Sequence, residues 1–494
     1  MRKTIKIDPI TRIEGHMAVD CVVDDGVVKD ARSQGTLFRG FEIILKGRDP
    51  RDASRYCQRI CGVCPSAHAT AASLALDDAF GIKDKIPRNG RIIRSLIFGS
   101  NFLQSHILHF YHLAALDYVD AAKTVGNVSP FVPRYEGDYR VPGKVTDELV
   151  KHYVKALDIR RKCHEMLAIF GGKMPHSVGI VAGGVTMRPT EDKITNLLWR
   201  LNEIRDFIDN IYIPDVIAVA KAYDDYFTIG KGCCRYISYG GLYSQAGTLF
   251  KAGTVSDDLK YEAFEIDNIT EDVKHSWFAD SDSGKNPADA DTEAKLDKKQ
   301  AYSFLKSPRY KGEVYEHGPL ARTVVGYVKS DEKIKKAVDS LLGEFGADVG
   351  ALFSVLGRHA ARALEAKIVA DSMADWLLEL KPDEPFICDY EIPDQSQGAG
   401  LSAAPRGGVG HWISIKDKKI ERYQVITPTA WNASPKDDKG RPGPLEQALI
   451  GTKVKDNENP FEIVRIVRAF DPCLACSIHL LDARGTDLGQ FRVV

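Results

Sequence analysis

Two stretches decide how this chain folds: "RICGVCPSAH", Arg59 to His68, and "DPCLACSIH", Asp471 to His479. Each holds a C-x-x-C pair followed by a histidine, and they lie about 400 residues apart. Thiolates select zinc, copper(I), iron–sulfur centres and other thiophilic metals. Two such half-sites meeting in space would put four sulfurs around metal. Read on spacing alone, three uses stay open: a structural zinc, a thiol redox pair and a catalytic metal centre. Zinc ribbons bring their pairs within roughly 15–20 residues of each other, which counts against zinc. Loop closure over so long a span is still affordable, because its cost grows only logarithmically. A redox pair would use one C-x-x-C and leave the other redundant.

Working outward, the 494 residues carry a formal net charge of −1 and a hydrophobic fraction of 44%. That composition fills a core and leaves no basic footprint for nucleic acid, so no nucleic-acid partner is expected. No apolar run reaches the roughly 18 residues of a membrane span, and the basic start "MRKTIKIDPITRIEGH" lacks the apolar stretch of a signal peptide. No direct membrane span is expected, and export would need a partner that carries the signal. Ten cysteines in this length do not make a disulfide scaffold. The six outside the pairs (Cys21, Cys57, Cys163, Cys233, Cys234 and Cys388) read as buried or free thiols.

The N-terminal part alternates apolar and polar residues around Asp24-Asp25-Gly26, a hairpin signal. Helical patterns follow the first cysteine pair. Gly90 to Asp120 is apolar nearly all round and reads as a buried helix. Residues 146–173, 190–223 and 349–380 read as long helices, the second opening on Thr190 in N-cap style. The polar stretch 280–300 has no period and reads as a solvated excursion. Near the end, "HWISIKDKKIERYQVITPT" alternates again around Lys416-Asp417-Lys418. The fold class expected is α+β: one large multihelical core domain with small peripheral sheets and hairpins.

Polar residues flank both pairs: Arg59 and His68 at one, Asp471 and His479 at the other. Metal thiolates need such neighbours to fix their orientation. The two motifs resemble the signatures of the large subunit of nickel–iron hydrogenases, R-x-C-G-x-C-x-x-x-H and D-P-C-x-x-C-x-x-H, at every fixed position. "DPITRIEGH", "RGFEIILKGRDPRDA", "SHILHFYHLAALDYV", "GPLAR", "APRGGVGHWI" and "PTAWNASP" resemble further family blocks, in family order. The likeness spans the chain and is weakest around residues 250–300. It is nearest to the nickel–iron–selenium branch, with Cys473 where that branch has selenocysteine; a cysteine-containing relative is the reading preferred over a replaced selenium residue.

The resemblance implies a catalytic subunit that splits H2 heterolytically at a nickel–iron centre, the iron carrying carbon monoxide and cyanide. Cys61 and Cys473 would be terminal nickel ligands, and Cys64 and Cys476 bridges to iron. Cys473 would act as the base and Glu14 as the first proton relay. Arg406 would overhang the open metal position, with Asp471 holding this arginine or the adjacent backbone. Pro405, Pro428 and Thr429 would line the pocket of the diatomic ligands, and His68 would hydrogen-bond a bridging sulfur. A magnesium, or an iron, would bind Glu42, His479 and the Val425 carbonyl. Ser105 stands where many uptake enzymes of the family have an aspartate, so a second carboxylate near Arg406 is expected to be missing.

No iron–sulfur cluster is expected in this chain. Electrons would pass to a small subunit that carries such clusters and, in periplasmic members, the export signal. The location implied is therefore periplasmic, with the cytoplasm as the alternative. Maturation would use nickel-insertion factors and a protease. Residues 1–479 would be the single domain, and 480–494 a tail removed after His479. Two alternatives stand against this function. A non-catalytic four-cysteine zinc protein is one; the other, a core subunit like that of respiratory complex I, lacks the cysteine pairs.

Overall fold

The computed structural model describes residues 2–126, 128–132, 136–244 and 247–474. Its first layer is an antiparallel sheet of β1 (Lys3–Ile7), β2 (Met17–Asp24) and β3 (Val27–Gly35), in that order. Asp25 and Gly26 close the β2–β3 hairpin with φ of 49° and 72°. Those two positive values make the type I′ turn that the Asp-Gly pair favours.

After a 3-10 turn, Cys57–Ile60, helix α1 runs from Pro65 to Ala79 with Cys64 at its N-cap. Proline suits the first helical position, where its missing N–H costs nothing. Helix α2, Arg88–Leu108, is buried along nearly its whole length. The sequence pattern suggests one helix onward to Asp120. The chain instead widens into a π turn at His109–Ala114 and a 3-10 turn at Ala115–Asp117. Such π turns are frequent at functional sites, and this one brings His109 to the backbone just before the second cysteine motif.

Helix α3 (Gly143–Gly171) packs on α2 and on α4 (Glu191–Phe207). Thr190 stands at the N-cap of α4 but makes no capping bond. Residues 190–223 also depart from a single regular helix. A π turn at Ile208–Tyr212 separates α4 from α5, Ile213–Ala222. Pro214 explains the break, since it lacks an N–H and its ring excludes the carbonyl four residues back.

Strands β4 (Tyr236–Ser244) and β5 (Gly247–Val255) form a second hairpin. The polar stretch 280–300 stays irregular, tied by bridges such as Glu271↔Lys285 and Phe278↔Ala294. Helix α6 (Pro319–Val328) and the buried α7 (Val355–Leu378) complete the helical core.

The last sheet is antiparallel, with β6 (Gln395–Ala404), β7 (Gly407–Lys416) and β8 (Lys419–Ile426) in that order. Asp417 and Lys418, at φ of 51° and 58°, make its second turn, where the sequence marks one. Strand β6 lies directly on α1. A Cβ at Gly400 would stand 2.1 Å from the Ala71 carbonyl oxygen, and one at Gly398 would stand 2.4 Å from that of Ala75. Only glycine permits this approach, and the alanines of α1 supply the matching flat face. Helix α8, Phe461–Ala469, then delivers the chain to Asp471. The architecture is α+β, a helical core edged by small sheets.

Candidate metal centre

The first half-site is a knuckle between a 3-10 turn and a helix. The backbone N–H groups of Val63 and Cys64 both point at Cys61 Sγ, at 3.3 Å each. From α2, Asn101 Nδ2 and Gln104 Nε2 donate to the Val63 carbonyl at 2.9 and 2.7 Å. Both amides are fully buried, and buried amides at this depth need partners. The positive end of the α1 dipole faces the same sulfurs.

The second half-site is held from outside its own helix. Arg362 Nη2 donates to the Ala469 carbonyl at 3.2 Å, and His109 Nε2 lies 2.6 Å from the Arg468 carbonyl. Arg468 reaches the Thr11 carbonyl at 2.8 Å and pairs with buried Asp117, which also binds Arg12. Asp471 adopts a left-handed φ of 55°. Beyond it, Cys473 N–H donates to Thr429 Oγ1 at 2.9 Å. Glu14 N–H reaches the Pro472 carbonyl at 3.3 Å, and Leu474 N–H reaches that of Glu14 at 2.7 Å.

These supports bring the two ends of the chain together. Cys473 Sγ lies 3.4 Å from Cys61 Sγ and 3.9 Å from Cys64 Sγ. The three buried sulfurs all fall within 4.8 Å of one another, a spacing that suits soft-metal ligands. Cys473 Sγ is also 3.1 Å from Glu14 Oε2.

Above the sulfurs, Pro405 and Arg406 form the two-residue turn between β6 and β7. Arg322 pins that turn, donating to the Pro405 and Gly407 carbonyls at 3.3 Å each. Glu365 grips Arg322 with both oxygens, at 2.7 and 2.6 Å, and receives His106 at 2.8 Å. Arg406 is 2% exposed. Its Nε stands 3.0 Å from Asp471 Oδ1, off the N–H direction, and Arg362 approaches the other carboxylate oxygen at 4.0 Å. Burial opposes the Arg406 charge. Asp471, then Cys473, Cys64 and Cys61, outweigh it and hold the pKa well above the ordinary arginine value. Among the described residues its Nη atoms have no hydrogen-bond partner. The guanidinium is thus a fixed charge within electrostatic reach of the three sulfurs.

The pocket wall follows. A Cβ at Gly407 would meet Pro428 at 2.8 Å, so the turn abuts the short helix Pro428–Asn432 that carries Thr429. Ser105 is buried in α2, and the carboxylate paired with Arg406 is that of Asp471.

Glu42 lies elsewhere, buried in the helical turn Phe41–Leu45 that packs against β8, the strand of Val425. Burial raises its pKa, which a backbone hydrogen bond and then Lys306 partly offset. His68 sits on α1, with Nδ1 3.1 Å from His411 Nε2. Cys476, His479 and the tail 480–494 lie outside the described residues. Sequence reasoning passed over Asn101, Gln104, Arg322, Arg362, Glu365 and His411. The stretches "GPLAR" and "APRGGVGHWI" did contain Arg322 and His411.

A family model described as nickel-dependent hydrogenase matches residues 39–125 and 122–479, and one described as HoxL-like matches residues 4–36. The periplasmic NiFeSe hydrogenase large subunit of Desulfomicrobium baculatum is 45% identical, over 99% of this chain and 97% of its own. The quinone-reactive Ni/Fe-hydrogenase large chain of Wolinella succinogenes is 35% identical, over 100% and 98%. The solved Ni-Fe-Se hydrogenase of D. vulgaris Hildenborough in its reduced state superposes with a TM-score of 0.90 at 44% identity. That match covers 97% of this chain and 100% of the other. A triad of buried thiols drawn from both chain ends, set in this fold, fits a nickel–iron centre. The chain belongs to the nickel-dependent hydrogenase family, as a large, catalytic subunit that cleaves H2 at such a centre.

Proposed function

We propose that Cys61 and Cys473 would hold the nickel, and that Cys64 and Cys476 would hold the iron, which would carry carbon monoxide and cyanide. When bound, the centre supplies the site where H2 is split and takes up the two electrons. The remaining work falls to the protein. The Cys473 sulfur receives the proton, and Glu14 Oε2, 3.1 Å away, is within direct transfer distance. Arg406 keeps a buried positive charge over the sulfurs, where a low dielectric makes it count. Asp471 fixes that arginine in place. Pro405, Pro428 and Thr429 wall the pocket of the diatomic ligands, and His68 donates to a bridging sulfur. Glu42, the Val425 carbonyl and His479 hold a magnesium, or an iron; a buried carboxylate packed against a strand edge suits so sparse a ligand set.

Large subunits of hydrogenases pair with small subunits, and we assign the iron–sulfur clusters to that partner. Among the described residues no helix is long and apolar enough to cross a membrane. The Desulfomicrobium relative is named periplasmic, which supports a periplasmic location reached through the partner's export signal. The nickel-dependent family match ends at residue 479, which supports a maturation tail at 480–494. Such a tail would be removed by a maturation protease after nickel-insertion factors have loaded the site.

One observation carries this reading: Cys61, Cys64 and Cys473 meet with Glu14 in reach of the last. The test is an infrared spectrum of the purified subunit pair, in the region where metal-bound carbon monoxide and cyanide absorb. One carbonyl band with a cyanide pair is expected. A blank spectrum from protein whose C-terminal peptide ends at His479 would overturn the ligand assignment.

A further inference from the structure

His68 belongs to a chain of buried hydrogen bonds that leads away from the cysteines. Its Nδ1 lies 3.1 Å from His411 Nε2, and His411 Nδ1 lies 2.7 Å from the Tyr423 hydroxyl. The buried Cys57 thiol stands beside that hydroxyl and interacts with it electrostatically. His411, Tyr423 and Cys57 are fully buried and His68 is 1% exposed. Four elements contribute: α1, the adjacent strands β7 and β8, and the 3-10 turn before Cys61.

A neutral imidazole carries one N–H, so a donor at one ring nitrogen makes the other an acceptor. Burial, and then the neighbouring His68, hold the pKa of His411 well below its ordinary value, which keeps that ring neutral. The chain therefore has two polarities. In one, Tyr423 donates to His411 Nδ1 and His411 Nε2–H to His68 Nδ1, leaving the His68 hydrogen on Nε2. In the other every bond reverses, and His68 Nε2 becomes an acceptor. No proton is gained or lost between them. A metal-bound thiolate has no hydrogen to give, so only the first polarity serves a histidine that donates to it.

We propose that His411 and Tyr423 are positioning residues that lock His68 in the tautomer with its hydrogen on Nε2. The proposal rests on the role assigned to His68 above. It follows the general rule that the hydrogen bond at one ring nitrogen sets the chemistry of the other. Here the rule acts through two further side chains.

The experiment is the infrared spectrum of the loaded subunit pair in four variants. Tyr423→Phe deletes one oxygen atom and lets His411 take either tautomer. A second set of carbonyl and cyanide bands, or a displaced set, is expected. His411→Leu removes the donor to His68 and should displace the bands likewise. His411→Gln keeps an amide N–H for His68 Nδ1 and should leave them at wild-type positions. His68→Leu is the reference for losing the donor altogether. Wild-type bands in both Tyr423→Phe and His411→Leu, with a shift in His68→Leu, would overturn the chain while sparing His68. Unshifted bands in His68→Leu would remove the role of His68, and this proposal with it. Metal content measured on each sample separates a changed donor from a failed assembly.

Discussion

Cys61 and Cys64 open a helix whose neighbours already pack it, whereas Cys473 stands past the end of one and depends on residues from the far end of the chain. The first knuckle is anchored by two amides of α2 and by α1 lying flush on β6. Most of its geometry comes from core packing. The second is held by Thr429, by the backbone of Glu14 and by side chains gripping the end of α8. Those contacts span most of the sequence. One half-site is therefore built into the core, and the other is closed onto it, an order that suits metal loading before closure.

The largest way to break this contrast is to remove a sulfur from each side. Cys64→Ser and Cys473→Ser should both abolish hydrogen uptake and the infrared bands. Only Cys473→Ser should also loosen the Glu14 segment, read as faster amide exchange at Glu14 and Leu474. Equal exchange in the two variants would show that the halves do not differ. Glu14→Gln comes next. It keeps the shape and removes the proton acceptor 3.1 Å from Cys473 Sγ. Hydrogen oxidation should fall by about 10²–10⁴-fold, the usual weight of a general acid–base group, with metal content and infrared bands retained. An unchanged rate would mean that the proton leaves by another route.

On the built-in side, Gly400→Ala would push a methyl group to within 2.1 Å of the Ala71 carbonyl oxygen. Overpacking of this kind costs about 1–3 kcal/mol. A lowered denaturation midpoint without any change in band positions would place the damage in the scaffold and not in the centre.

The contrast also explains what the sequence made legible. Metal-ligand spacing marked both cysteine pairs, because ligand chemistry fixes residue types locally. The Asp-Gly hairpin at Asp25-Gly26 and the turn at Asp417-Lys418 were readable for the same local reason. The clamps were not. Asn101 and Gln104 lie in a helix buried all round, where periodicity says that a side chain is inside but not what it meets. The Arg322–Glu365–His106 cluster joins three helices, and each residue alone reads as an ordinary surface or ion-pair residue. The π turns at His109–Ala114 and Ile208–Tyr212 were also hidden, since a π turn keeps the apolar pattern of the helix around it. Only the family blocks pointed to Arg406 and Thr429, through their neighbours in sequence.

The smallest effect tests the closing side by one atom. Thr429 Oγ1 accepts the Cys473 N–H at 2.9 Å, both groups being buried. Thr429→Val keeps the volume and strands that N–H, at a cost of about 1–2 kcal/mol for an unsatisfied buried donor. Thr429→Ser restores the acceptor and should recover most of it. Because the lost bond holds the segment and not a sulfur, the change should appear first as faster amide exchange at Cys473 and as incomplete nickel loading. The rate per bound nickel should fall less. If loading stayed complete while the rate per nickel collapsed, Thr429 would act through the pocket wall alone and not through closure. The division between a built half-site and a closed one would then have to be redrawn at that residue.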